Sequence, residues 1–147
     1  MGVIKILLKW IIGSFLLVQI ISLIFISFPE NKPTDRAKEI KAPAEIMAML
    51  KVSCYDCHSN STNYPWYKDI VPFSYGINRH VDLGRKWLNF SIWEEYTPEQ
   101  KDEKLGQIFK SVHTVMPLSS YVKMHPEATL SKEQRDKIRA WTGKAPF

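Results

Sequence analysis

The chain has 147 residues, a formal net charge of +5 and 45% hydrophobic residues. That is one small domain with enough apolar content for a core, too short for a doubly wound nucleotide-binding fold with a substrate domain or for a barrel enzyme. No Lys/Arg run approaches a nucleic-acid stripe, so no nucleic-acid partner is expected, and the dinucleotide and P-loop glycine motifs, the GxSxG elbow and HExxH are all absent.

Residues 1–28 read as an N-terminal single-pass membrane anchor. From Trp10 to Phe28 run 19 uncharged residues rich in Ile, Leu, Phe and Val. As a helix they span about 28 Å, close to the thickness of a bilayer core. Lys5, Lys9 and Trp10 mark one end and Pro29 and Glu30 the other. A cleaved signal peptide is the competing reading, but Phe25-Ile26-Ser27-Phe28 lacks a small-x-small site. Basic residues lie on both sides (Lys5 and Lys9 before; Lys32, Arg36, Lys38 and Lys41 after), so charge does not orient the span.

Residues 29–43 are polar and punctuated by Pro29, Pro33 and Pro43, as expected of a short tether. Residues 44–147 read as the domain. Pro43 opens a helix with Ile46, Met47, Met49, Leu50 and Cys54 on one face. Ile77, Val81, Gly84 and Leu88 form a second stripe, with His80 and Trp87 on the same helix. Thr97-Pro98-Glu99-Gln100 is a capping box leading into Leu105, Ile108, Phe109 and Val112, and Ser131-Lys132-Glu133-Gln134 is another, leading into Ile138 and Trp141 before Gly143. The expected fold is all-α: a small cytochrome c-like domain of four or five helices with long aromatic loops, preceded by one transmembrane helix. Loops so rich in Trp, Tyr and Phe need a large flat surface to pack against, which a cofactor would supply.

Both cysteines lie in Cys54-Tyr55-Asp56-Cys57-His58, the CxxCH spacing of c-type haem attachment. Residues three apart share a helix face, so two thiols can add to the two vinyl groups along one porphyrin edge while His58 meets the iron as proximal ligand. The expectation is one haem c, covalently attached through Cys54 and Cys57. Three other readings use the same residues. A thioredoxin-like dithiol needs a βαβ context not visible here. A zinc site would join Cys54, Cys57 and His58 to His80, His113 or His125. A structural disulfide is the third.

The sixth iron ligand has two main candidates. Met116, stiffened by Pro117, lies in a loop between helices. His80 lies on the Val81 helix. Met47 and Met49 sit on an apolar stripe and read as core, and Met124 is a weaker rival. Pro65 or Pro72 could turn a backbone carbonyl toward the His58 ring N–H. Arg79 and Arg85 could meet haem propionates, against a solvated helix face as the alternative. Tyr121, Trp66, Trp87 and Trp93 could line the haem but read more simply as core aromatics. Glu94-Glu95 reads as a solvated turn and Asp56 as a local cap.

Met116-Pro117 followed by the Leu130-Ser131 capping box resembles the ending of class I cytochrome c domains. More closely, the stretches from Cys57 to Tyr67 and from His80 to Ser91 resemble the small bacterial haem-binding domain family, with similarity running from about Glu45 to Trp141. The resemblance implies haem at Cys54 and Cys57 with His58 axial, and keeps both His80 and Met116 as distal candidates. The c-type class further implies attachment outside the cytoplasmic membrane, hence a single-pass protein of the bacterial cytoplasmic membrane with its C-terminal domain on the periplasmic side. The expected function is single-electron transfer with redox partner proteins, by a haem-binding protein rather than a catalyst. The alternatives are a haem-based sensor with an open distal site and a haem-free interaction domain stabilised by zinc or a disulfide.

Overall fold

The computed structural model describes residues 2–145. The chain is all-helical, with no strand among the described residues. Helix α1 (Gly2–Phe25) is followed by α2 (Ala44–Ser53), α3 (Tyr55–His58), α4 (Phe73–Trp87), a 3-10 helix (Phe90–Glu95), α5 (Pro98–Thr114), α6 (Ser119–Met124), a second 3-10 turn (Pro126–Ala128) and α7 (Lys132–Trp141). The four long helices after α1 are those that the apolar stripes predict. Two shorter α-helices and the two 3-10 segments lie between them.

Local chemistry sets the boundaries. Thr97 and Ser131 each accept from the backbone N–H three residues on, and Gln100 and Gln134 reach back to the cap N–H, so both capping boxes form. The Asn89 side chain accepts from Ser91 N–H and starts the first 3-10 helix. Beyond α7, Gly143 takes φ +66°, the left-handed conformation that ends a helix most cheaply at glycine.

The core gathers Leu50 from α2, Phe90 and Trp93 from the 3-10 helix, Ile108 and Val112 from α5 and Ile138 from α7. Met49 is buried and Met47 packs against the cluster, as their stripe predicts. α5 packs on α7, α2 touches α3 and α7, and α3 lies on α4. Trp93 is a core residue, but Trp66 and Trp87 are 84% and 64% exposed, which corrects the reading of both as core aromatics.

Residues 29–43 do not run free of the domain. Ile40 is buried and donates to the Phe90 carbonyl at 2.9 Å. The Asn31 amide bonds Thr62 both ways, donating to its carbonyl at 2.8 Å and accepting from its N–H at 2.9 Å. Ile40 and Ala42 supply the apolar grip that a polar linker lacks. α1 is long and apolar enough to cross a membrane.

Candidate functional site

α2 ends at Cys54, which leaves helical geometry at φ −130°, and α3 restarts one residue later. The N–H groups of Cys57 and His58 both donate to the Cys54 carbonyl, at 3.2 and 3.0 Å. The CxxCH motif is therefore a single closed turn, and Cys54, Cys57 and His58 line one cavity of about 520 Å³. Leu50, Val81, Ile108 and Ile138 contribute apolar wall to it, and Met116, His80, Arg79 and Tyr121 also reach it.

His58 is held from behind. Its Nδ1–H donates to the carbonyls of Gly84 at 3.1 Å and Leu88 at 3.0 Å. Gly84 lies in the last turn of α4 and Leu88 caps it, where the helix dipole is negative; the Gly84 oxygen also accepts from the Leu88 N–H at 2.9 Å, so His58 takes its second lone pair. Two acceptors at Nδ1 fix the tautomer and leave Nε2 as the nitrogen with a free lone pair. Burial pushes the His58 pKa down, against the opposing effect of the two carbonyl bonds, so the ring is neutral near neutral pH. The Phe90 ring stands 6.1 Å from the imidazole and stacks on Tyr55 at 5.4 Å. The carbonyls that orient His58 thus come from Gly84 and Leu88, not from Pro65 or Pro72. Pro65 lines the cavity instead.

Cys54 and Cys57 are both free thiols. Burial pushes Cys54 up to about 12, with the neighbouring Cys57 adding to the effect. Burial and the Asp56 carboxylate push Cys57 up to about 11. A reactive dithiol of the thioredoxin kind needs the opposite shift. Among the described residues no group of three or more His, Cys, Asp and Glu is placed to hold a metal ion. Both ring nitrogens of His125 are occupied, Nε2 by the Tyr67 hydroxyl at 3.0 Å and Nδ1 by Glu127 at 3.2 Å.

The two distal candidates differ in setting. Met116 is half-buried, in the loop joining α5 to α6. Its N–H donates to Ser111 O at 2.8 Å and its carbonyl accepts from Arg135 Nη1 at 2.6 Å. His80 is exposed and sits on α4, the same helix that holds His58. Arg85 does not face the cavity as a free cation. It donates to the carbonyls of Ser59 and Glu30 at 2.7 Å each, to Asn31 Oδ1 at 2.9 Å and to Thr62 Oγ1 at 2.8 Å. Arg79 lines the cavity and is exposed. Asp56 is more than a local cap: it accepts from Asn63 N–H at 3.0 Å and from the Tyr121 hydroxyl at 2.6 Å, tying the motif turn to α6.

A family model described as a haem-binding domain matches residues 14–144. The chain belongs to the haem-binding domain family. No curated protein and no solved structure matches the chain. The matched residues include the second half of α1 as well as the helices that follow. The residues present fit a haem: an apolar cavity in the size range of cofactor sites, two free cysteines on one turn, and an imidazole locked with one nitrogen to spare. Sequence reasoning missed the Gly84 and Leu88 carbonyls, Arg135 and the Asp56–Tyr121 bond. Only Gly84 left a trace, as a lone glycine inside a helical stripe, which points to close packing.

Proposed function

We propose that this haem-binding domain is a membrane-anchored c-type haem protein that carries single electrons, with its domain on the outer face of the cytoplasmic membrane. The observation that carries the reading is the His58 ring, held through Nδ1 by two carbonyls beside two free cysteines on one cavity. Haem bound there supplies Fe(II)/Fe(III) cycling. Cys54 and Cys57 hold it by thioethers, and His58 offers Nε2 to the iron. Met116 would supply the iron's second protein ligand: it comes from the α5–α6 loop, whereas His80 shares α4 with the groups that orient His58. Arg79, exposed on the cavity wall, would be the residue to meet a propionate, since Arg85 is engaged by four protein acceptors. The apolar walls exclude water and favour the less charged ferrous state. The α1 helix confines the domain near membrane partners and raises their effective concentration.

The test is the absorption spectrum of the full chain, made in a host with haem-attachment machinery and purified in detergent. Haem that stays with the denatured chain establishes covalent attachment. A weak ferric sulfur charge-transfer band in the folded protein supports Met116. A folded protein lacking that band, whose reduced form binds CO at once, overturns the electron-carrier reading in favour of a ligand-binding site. Colourless protein overturns haem attachment altogether.

A further inference from the structure

α1 does not leave the domain at Phe25. Its last two turns are fastened to residues 69–78. The Gln19 side chain donates to the Asp69 carbonyl and accepts from Val71 N–H at 3.1 Å. Ser22, buried within an otherwise exposed helix, meets the Ser74 hydroxyl at 3.1 Å. Asn78 donates to the Ser27 carbonyl. Phe28 packs edge-on against Tyr64 at 5.3 Å, and the Tyr64 hydroxyl donates to Pro29 O at 2.6 Å. Beside these contacts the domain exposes three large aromatics: Trp66 at 84%, Tyr75 at 66% and Phe73 at 47%. Burial of such rings is the usual fate; Trp66 and Phe73 are joined through Tyr67, and Phe73 and Tyr75 flank Ser74 on α4, so they leave uncovered apolar surface around the α1 contact. The charged side chains within that stretch, Lys68 and Asp69, pair with each other at 2.7 Å, and the Lys68 ammonium also lies over the Phe28 ring.

The length of α1 decides what covers this face. Residues 2–18 are clear of the domain, and 17 helical residues span about 25 Å. The hydrocarbon core of a bilayer is about 30 Å thick. A membrane that accommodates α1 must therefore take in the domain's edge as well. The shortfall is at least about 5 Å, and the headgroup boundary, where amphipathic surfaces sit and Trp and Tyr are favoured, takes it up. Lys5 and Lys9 lie toward the opposite end, where long stems can carry their charges to the far interface.

We infer that the face carrying Trp66, Phe73 and Tyr75 is a second membrane contact, seated in the lipid headgroup region beside the point where α1 enters the bilayer. This rests on the reading of α1 as a membrane span. The occupant is the phospholipid surface itself, because the face is continuous with the helix that the lipid must surround. Tyr67 links the face inward: its ring meets Trp66 at 5.6 Å and Phe73 at 5.5 Å while lining the haem cavity. The cavity wall thus stands one aromatic layer behind the membrane.

The test places p-benzoylphenylalanine singly at Trp66 or Tyr75 in the full chain, in vesicles of phosphatidylcholine and phosphatidylglycerol. Leu16 in α1 serves as the span control, and Val52 and Val115, exposed apolar positions in α2 and after α5, serve as surface controls. Irradiation followed by mass spectrometry is expected to add one phospholipid mass at positions 16, 66 and 75 and none at 52 or 115. Adducts at 16 but not at 66 or 75 overturn the seated face and leave the anchor standing. No adduct at 16 overturns the anchor itself. A mass gain of a second chain at 66 or 75 shows a protein interface and overturns the lipid contact. Lipid at 52 and 115 as well shows indiscriminate adsorption and overturns it too. Positions 66 and 75 are exposed enough to accept the substitution, and slower backbone hydrogen exchange over 64–78 in vesicles than in detergent provides a check on the unmodified chain.

Discussion

A Cβ on Gly84 would lie 2.3 Å from the carbonyl oxygen of Cys57. The CxxCH turn rests directly on the backbone of α4, and the same Gly84 offers its own carbonyl to His58 from that contact. One residue therefore sets both the depth at which the two cysteines sit and the tilt of the imidazole. The clash is with backbone, which has no rotamer by which to retreat.

Gly84→Ala is expected to destabilise the chain by about 1–3 kcal/mol, as overpacking of a close contact does. Urea unfolding measures the loss. The His58 hydrogen bonds should loosen with it, visible in the haem protein as a shifted proximal ligand signature. A variant within about 0.5 kcal/mol of the parent, the range of ordinary surface substitutions, would show that the two helices part freely.

The thiols predict a pH effect in the haem-free folded chain. Burial raises Cys54 from 9.0 to about 12 and Cys57 from 9.0 to about 11. The folded state holds protons that the unfolded state gives up, so stability is intact below pH 9 and is lost as the pH rises through 9 toward 11 and 12. The melting temperature should fall between pH 8 and 10.5, and less so in a Cys54→Ala, Cys57→Ala double variant. Iodoacetamide should modify the folded chain at pH 8 far more slowly than the unfolded one. Fast alkylation of the folded chain at pH 8 would mean thiolates, and a site of a different chemical kind.

Met116→Ala should lower the midpoint potential and abolish the sulfur charge-transfer band, since thioether ligation favours the reduced iron relative to bis-histidine. Arg135→Ala should act in the same direction more weakly, because it frees the loop without removing the sulfur. His80→Ala should leave both readouts unchanged. A potential that moves with His80 and not with Met116 would reverse the ligand assignment.

Asp56 and Tyr121 form a bond to a carboxylate across the cavity mouth, a kind that contributes about 1.5–3 kcal/mol. A double-mutant cycle of Asp56→Asn and Tyr121→Phe should return a coupling energy toward the low end of that range, because both groups are only partly buried. Additive single effects would show that the α6 contact is incidental.

What could be read from the sequence is what neighbours in the chain decide. The two capping boxes, the Gly143 stop, the Met49 stripe and the CxxCH turn are all written within a few residues of one another. The orientation of His58 is not: its acceptors lie 26 and 30 residues further on, and backbone carbonyls have no residue identity to notice. Arg85 carries the same charge whether it faces a propionate or clamps four protein acceptors. Trp66 and Trp87 are the same residue type as Trp93, yet only Trp93 falls in the buried cluster with Leu50, Phe90 and Ile108. The short helix α6 carries no such signal because it is not long enough to show an apolar period.

Arg85 joins Glu30 and Asn31, just past α1, to Ser59 and Thr62, just past the CxxCH turn. A redox unit on a slack leash sweeps a hemisphere and meets its partners at any angle. A chain fastened at Gln19, Ser22 and Arg85 has given up that freedom. Set in a bilayer, it turns only about the axis of α1, so its cavity travels at one height with one bearing. Its encounters become two-dimensional, and on the electron-carrier proposal a partner would be selected by the elevation at which it carries its own redox centre as much as by the shape of its surface.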